Sequence, residues 1–142
     1  ILNKFRKIST VEENKIIDFM VDKMKVKTPS TATKVGSLSG GNQQKVSIGK
    51  WLAANCDILI IDEPTVGVDV GAKKYIHDLI WNLAKEEGKS IILISSDMPE
   101  LITLARRILV FKDQEITGEI DDLNTVEKSY EEVSVEIGSL MS

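Results

Sequence analysis

Two segments in the first third of the chain carry apolar residues at the three- and four-residue spacing of an amphipathic helix. The first covers 10–24, begins at Thr10 as a possible N-cap, and ends before Pro29, which cannot continue it. The second runs from about 41 to 54, after a loop of small polar residues. The apolar positions that define these helices are Ile16, Ile17, Met20 and Met24 in the first and Ile48 and Leu52 in the second.

After position 57, short aliphatic runs alternate with helical segments. The run 58–61 is wholly aliphatic, which is typical of a strand covered on both faces. Gly88 ends the helix that follows, and Pro99 begins the next one as a first-turn proline. The predicted order is strand 58–61, helix 72–85, strand 90–95, a helix from Pro99, and strands 108–112 and 115–120 around a turn at 113–114. This order predicts an α/β domain whose sheet is mostly parallel, with helices on both faces.

The composition narrows the classes of protein that fit. The 142 residues are 42% apolar and 28% charged, which is typical of one globular domain. No apolar run approaches the ~18 residues that a membrane-spanning helix needs. The single cysteine, Cys56, excludes a disulfide framework and a cysteine-based zinc site, and the single histidine, His77, excludes a multi-histidine metal centre from this chain alone.

Charge is distributed unevenly along the chain. Residues 1–34 hold eight lysines and arginines against four acidic residues, whereas 113–142 hold one against nine. The net charge is −4, which argues against non-specific binding of nucleic acid, because phosphate contacts need a basic surface. We therefore expect no nucleic-acid partner.

A hydroxyl and two glycines, Ser39, Gly40 and Gly41, stand immediately before the second predicted helix. Glycines let a backbone approach a ligand closely, and a helix N-terminus presents N–H groups without intrahelical acceptors. Such a segment suits an anion, most naturally a phosphate. The alternative is an ordinary serine N-cap after a glycine turn, and the three residues alone favour this alternative.

Two adjacent carboxylates, Asp62 and Glu63, follow the aliphatic run 58–61. The carboxyl end of a buried parallel strand is where open α/β sheets bind ligands. Asp62 could hold Mg²⁺, directly or through its water, and Glu63 could polarise an attacking water as general base. A solvated strand end is the alternative.

Taken together, these segments resemble the nucleotide-binding domain of ABC-type ATPases. The segment 38–43 resembles the ABC signature motif, 58–63 resembles Walker B, and 66–69, ending in Asp69, resembles the D-loop. Three segments resemble the sequences of carbohydrate importers of the ribose, galactose and xylose class. They are the Asn-Gln-Gln at 42–44 and the residues 65–73 and 95–100. In that class the ATP-binding subunit carries two fused ATPase domains, and this sequence resembles the second, C-terminal one.

The resemblance implies a division of the chain and a set of roles. It implies a P-loop NTPase fold of the ABC type, of which this chain would be the C-terminal part only. Residues 1–36 would be a remnant of the helical subdomain, 37–120 would form the ATPase core, and 121–142 would be an acidic tail. Glu63 would be catalytic, Asp62 would be the Mg²⁺ ligand of the full site, and Asp69 would be the D-loop acid. The signature residues that would contact nucleotide in trans are Ser39, Gly40, Gly41, Asn42 and Gln43.

Two parts of the ABC pattern are missing. The sequence contains no Gly-x-x-x-x-Gly-Lys-Ser/Thr, the phosphate loop that lies upstream of the signature in the family. The switch position, usually a histidine, is Ser96, which cannot titrate or carry a positive charge. The resemblance implies that each site of an ABC dimer combines the phosphate loop and Walker B of one domain with the signature of the other, so we expect the intact signature to complete a site on a partner ATPase domain. The missing histidine leads us to expect that the site of Asp62 and Glu63 hydrolyses ATP weakly.

The resemblance also implies the setting. The full-length protein would be a transport ATPase that uses ATP and Mg²⁺ to drive sugar uptake, docked on permease subunits at the cytoplasmic face of the membrane. The isolated chain would be inactive, and exposed apolar faces would favour its self-association. The alternatives are a soluble ABC-type ATPase acting on ribosomes or DNA, and a non-catalytic interaction module with the same fold. The sequence does not identify the sugar.

Overall fold

Helices and strands alternate along the computed structural model, which describes residues 9–121, 123 and 129–141. The predicted helices and strands before position 121 are confirmed, with boundaries within about two residues of those expected. In chain order the elements are α1 (Thr10–Lys23), a 3-10 turn (Val35–Ser37), α2 (Gly40–Ala53), β1 (Ile58–Asp62), α3 (Val70–Lys85), β2 (Ser90–Ile94), α4 (Met98–Leu104), β3 (Ile108–Lys112), β4 (Glu115–Ile120) and α5 (Tyr130–Met141).

The first of two compact units comprises the described residues up to 59 together with 64–91. Its helices α1, α2 and α3 pack in sequence, α1 on α2 and α2 on α3. Gly49 allows the first of these contacts, because a Cβ there would lie 3.0 Å from Met24 Cγ. The buried hydrophobic core residues of this unit are Met24, Ile48, Leu52, Leu59, Ile76, Ile80 and Leu83, and Pro64 is also fully buried.

The second unit comprises 60–63 and the described residues from 92 onward. Its centre is an antiparallel hairpin in which Ile108 pairs with Ile120 and Lys112 with Glu115. The two turn residues, Asp113 and Gln114, both have positive φ, as a two-residue turn matched to the strand twist requires. Helix α5, formed in the acidic tail, packs on this hairpin and buries Val133 and Ile137 against Ile108, Val110 and Ile120.

Strands β1 and β2 are neighbours in one sheet and run in the same direction. Ser90 N donates to Asp57 O at one end of the pair, and Glu63 N donates to Ile94 O at the other. Only one face of β1 is covered, since Leu59 and Ile61 are buried while Ile58 and Ile60 are 63% and 68% exposed. The expectation of a strand covered on both faces is therefore wrong for the chain as described. Of residues 9–121, 123 and 129–141, none packs over that second face closely enough to bury it.

Candidate functional site

Ser39 occupies the N-cap position of α2, with an extended backbone (φ −61°, ψ 153°). Its side chain makes no capping hydrogen bond to a backbone N–H. The hydroxyl oxygen instead accepts a 2.9 Å hydrogen bond from Asn42 Nδ2. The ordinary serine cap, which the sequence left open, is therefore not what forms, and an exposed hydroxyl stands at the positive end of a 14-residue helix.

Gly40 and Gly41 are required by packing within the first unit. A Cβ on Gly40 would lie 2.8 Å from the carbonyl oxygen of Gly67, and one on Gly41 would lie 2.5 Å from Ala72 Cβ. Both separations are shorter than real Cβ contacts, so the N-terminus of α2 can approach the loop before α3 only without side chains. The sequence assigned these glycines to ligand approach alone and missed this second constraint.

Asn42 and Gln43 hold the start of α2 to the chain around it. Asn42 Oδ1 accepts from Lys27 N at 2.9 Å, and Gln43 Nε2 donates to Leu38 O at 2.8 Å. The backbone N–H groups of Asn42 and Gln43 both donate to Ser39 O. The predicted signature residues therefore form one continuous hydrogen-bonded turn.

Asp69 is the N-cap of α3, and its carboxylate accepts from Ala72 N at 2.9 Å. A carboxylate at this position satisfies an N–H without an intrahelical acceptor and opposes the positive end of the helix. The residue predicted to be the D-loop acid thus fixes the start of α3, next to Ala72, which faces Gly41. The signature turn and this cap lie in the same unit.

Asp62 and Glu63, at the end of β1, and Ser96, the predicted switch residue, belong to the second unit. Glu63 has φ +45°, an unusual backbone for a residue with a side chain, and its carboxylate accepts from Ser96 N at 2.8 Å. The structure therefore brings Glu63 and the predicted switch residue into direct contact through the backbone of Ser96. Asp62 precedes them at the end of β1 with its side chain exposed.

One lysine of α2 that the sequence did not single out is also engaged. The ammonium of Lys45 lies 3.9 Å from the centre of the Tyr75 ring and donates to Lys25 O. Burial, with help from the charges of Lys27 and Lys25, holds the pKa of Lys45 below its usual value of 10.5, and Asp69 opposes that shift. These contacts tie α2 to α3 and to the loop after α1, a role that helical spacing alone does not reveal.

The described part of the chain contains no cluster of three or more histidine, cysteine or acidic side chains that would hold a metal by themselves. A Mg²⁺ ion is usually held by one or two carboxylates together with water and substrate phosphates, so the single exposed carboxylate of Asp62 is compatible with it. None of the helices in the described ranges is long and apolar enough to cross a membrane.

Comparison with known proteins agrees with the motifs. Residues 3–66 match the family model described as ABC transporter. The chain is 48% identical over 132 residues, 93% of its length, to the galactose/methyl galactoside import ATP-binding protein MglA of Fusobacterium nucleatum subsp. nucleatum, and covers 26% of that protein. It is 44% identical over 137 residues, 96% of its length, to the ribose import ATP-binding protein RbsA of Clostridium perfringens (strain SM101 / Type A), and covers 27% of it. The chain thus spans about a quarter of the length of these curated relatives.

Solved structures show the same architecture. A dimeric ATP-binding cassette in a post-hydrolysis state, bound to ADP and Pi, matches with a TM-score of 0.72 and 29% identity, over 81% of this chain and 49% of that one. An inward-facing metal-chelate type ABC transporter matches with a TM-score of 0.74 at 21% identity, over 87% of this chain and 48% of that one, which supports the fold alone. The predicted α/β class and the resemblance of this chain to the nucleotide-binding domains of ABC transporters, among them the ATP-binding proteins of sugar importers, are therefore confirmed.

Proposed function

We propose that this chain is part of the ATP-binding subunit of a sugar ABC importer, a transport ATPase in which hydrolysis of MgATP drives carbohydrate uptake. The observation that carries the proposal is the turn at the start of α2, where the exposed Ser39 hydroxyl stands at the N-terminus of the helix and makes no capping hydrogen bond. The similarity to galactose and ribose import ATP-binding proteins supports the substrate class.

The signature turn is proposed to act on nucleotide held by a second ATPase domain. The first backbone N–H groups of α2 and the Ser39 hydroxyl are donors grouped at the positive end of a helix, which suits the terminal phosphate of ATP. The phosphate loop of that site would come from the partner domain, because in ABC dimers each site combines the phosphate loop of one domain with the signature of the other. The signature half-site then binds weakly by itself, and bringing it against the partner's phosphate loop completes the set of donors around the phosphate.

The carboxylates are proposed to serve this domain's own site. Asp62 would contribute to holding Mg²⁺, which when bound neutralises charge on the phosphates. Glu63 lies just after the carboxyl end of β1, and its Oε1 accepts from Ser96 N at 2.8 Å. Because Ser96 has no ionisable side chain, we infer that hydrolysis at this site is slow and that the site completed by Ser39 carries most of the turnover.

The test compares two variants of the full-length protein assembled with its permease. Ser39→Arg places a bulky cation where the hydroxyl stands and should abolish most ATPase activity, while Glu63→Gln, which removes the base but keeps its shape, should reduce it only partly. Gly41→Asp would be a poor substitute for the first variant, because any Cβ there meets Ala72. Equal losses from Ser39→Arg and Glu63→Gln would contradict the proposed asymmetry.

The proposed partners follow from the same assignment. They are the second ATPase domain and the membrane permease subunits, with the protein bound peripherally at the cytoplasmic face. Uptake of labelled ribose, galactose and xylose by cells with and without the full-length gene would test the substrate class. ATPase activity stimulated by ribosomes or DNA, with sugar uptake unaffected, would instead support the soluble ABC-type alternative. An unaltered uptake profile together with no ATPase activity of any kind would support a non-catalytic module.

A further inference from the structure

We infer that Asn42 is a positioning residue that orients the hydroxyl proton of Ser39 toward the bound phosphate. The inference rests on the proposed function, since it assigns the phosphate contact to Ser39. The sequence placed Asn42 among the residues that contact nucleotide, but both ends of its side-chain amide are engaged within the chain, so the role inferred here is an indirect one. Its role follows from two hydrogen bonds of its side-chain amide. The bond with Lys27 N fixes the orientation of the amide, and the amide in turn fixes the direction of the bond with Ser39 Oγ.

The hydrogen bond with Lys27 N assigns the oxygen and the nitrogen of the Asn42 side-chain amide. A backbone N–H can only donate, so the atom of Asn42 that faces Lys27 N at 2.9 Å must be the carbonyl oxygen. The amide nitrogen is then the end that faces Ser39 Oγ, at 2.9 Å. Reversing the amide would set two N–H groups against each other on the Lys27 side. The orientation of Asn42 is therefore determined by the backbone and not by Ser39.

The second hydrogen bond then determines the state of the serine. The Asn42 amide nitrogen has no lone pair to offer, so Ser39 Oγ must accept from it and its own proton has to point elsewhere. Among the residues that the structure describes, Ser39 Oγ donates to no acceptor, and the hydrogen bond from Asn42 is the one that it accepts, so this proton is uncommitted. A hydroxyl whose proton is already turned away from its neighbour can donate to a phosphate without first breaking an internal hydrogen bond.

The arrangement differs from an ordinary capping box. In that motif the hydroxyl accepts from the backbone N–H three residues on, and the side chain there returns to the backbone N–H of the cap. Here the backbone N–H of Asn42 donates to Ser39 O, and its side chain meets the hydroxyl instead. Glutamate or aspartate at this position would accept from the hydroxyl and draw the proton inward. An amide gives the opposite polarity.

The experiment is a double-mutant cycle on MgATP hydrolysis by the full-length protein assembled with its permease. Asn42→Asp is the central variant, because a carboxylate keeps the acceptor for Lys27 N but replaces the donor to Ser39 with a second acceptor. Asn42→Ala removes both bonds. Each is made in the natural background and in a Ser39→Ala background, and the thermal unfolding of every variant is recorded.

In the natural background, Asn42→Ala and Asn42→Asp should each lower turnover by about fivefold to tenfold, the loss expected for one disordered hydrogen bond to a charged group. In the Ser39→Ala background, Asn42→Ala should change turnover by less than about twofold, because no hydroxyl remains to be oriented. Any residual effect of Asn42→Asp in that background measures its added negative charge. The unfolding temperature of Asn42→Asp should stay at that of the unsubstituted protein, since the bond to Lys27 N remains.

Three results would overturn the inference. They are full activity of Asn42→Asp, equal losses from Asn42→Ala with and without the Ser39 hydroxyl, and a loss of turnover in Asn42→Asp that accompanies a fall in its unfolding temperature. If Ser39→Ala itself leaves turnover unchanged, the proposed function of the signature fails, and the inference fails with it. If Ser39→Ala lowers turnover while Asn42→Asp does not, only the positioning role is lost.

Discussion

The packing of α2 on the start of α3 makes Gly41→Ala a decisive substitution. The new Cβ would lie 2.5 Å from Ala72 Cβ, whereas carbon atoms in contact ordinarily lie ~3.5–4.0 Å apart, so the two helices must separate by about 1 Å. Overpacking of this kind costs about 1–3 kcal/mol. Alanine regains up to about 1 kcal/mol of helix propensity relative to glycine. We expect Gly41→Ala to lower the free energy of unfolding by about 1–2 kcal/mol.

The assay is equilibrium urea unfolding of the 142-residue chain, with the midpoint compared at constant slope. Gly138→Ala is the matched control, because it makes the same chemical change inside helix α5 with nothing within 4 Å of the new Cβ. It should raise the unfolding free energy by about 0.5–1 kcal/mol. The two substitutions should therefore move the midpoint in opposite directions.

A second substitution isolates the contact itself. Ala72→Gly removes the facing methyl group, so combining it with Gly41→Ala should recover more stability than the separate effects predict. The expected coupling is about 1–2 kcal/mol, the part of the loss that the clash causes. Additive effects of the two substitutions, or a Gly41→Ala chain as stable as Gly138→Ala, would refute the packing argument.

Three further measurements test other parts of the structure. The 142-residue chain should bind MgATP only weakly by calorimetry, because its sequence lacks a phosphate loop, and a micromolar Kd would contradict this. Burial raises the pKa of Tyr75 above 10.0, so its phenol should ionise at higher pH in the folded than in the unfolded chain, and the free energy of unfolding should fall as pH rises past 10.0. Ultraviolet titration of Tyr130→Phe, which leaves Tyr75 as the only tyrosine, measures the pKa of that phenol. A measured pKa at or below 10.0 would contradict the prediction. The exposed aliphatic face of β1 should cause the chain to self-associate, and light scattering should show smaller species for Ile60→Lys than for the unsubstituted chain, whereas a monomer before substitution would count against the idea.

The helices and strands were predictable because their signals are local. Gly88 and Pro99 mark an end and a beginning within the residues concerned, and the aliphatic runs need no distant partner to be recognised. The contact between Glu63 and Ser96 was not predictable, because it joins residues 33 positions apart and depends on a left-handed backbone at Glu63. The sequence placed both residues near strand ends without indicating that one would bind the other.

The covering of β1 was mispredicted for a related reason. An aliphatic strand is typical of burial on both faces, yet Ile58 and Ile60 are exposed because burial depends on what packs above the strand and not on the strand's own residues. The match covers about half of each solved chain, so both contain residues that have no counterpart in this sequence. The composition of a strand shows that it can be buried on both faces, but the segments packed against it determine whether it is.

Retention of the two glycines at the start of α2, Gly40 and Gly41, does not by itself indicate that a related gene product still hydrolyses ATP. Their lack of side chains is enforced by Gly67 and Ala72, whether or not any phosphate is ever bound. A gene copy released from selection for ATP turnover would therefore retain Gly40 and Gly41 for as long as the protein has to fold. The Ser39 hydroxyl carries no such packing constraint, so a change there would be the earlier sign that the activity has been lost.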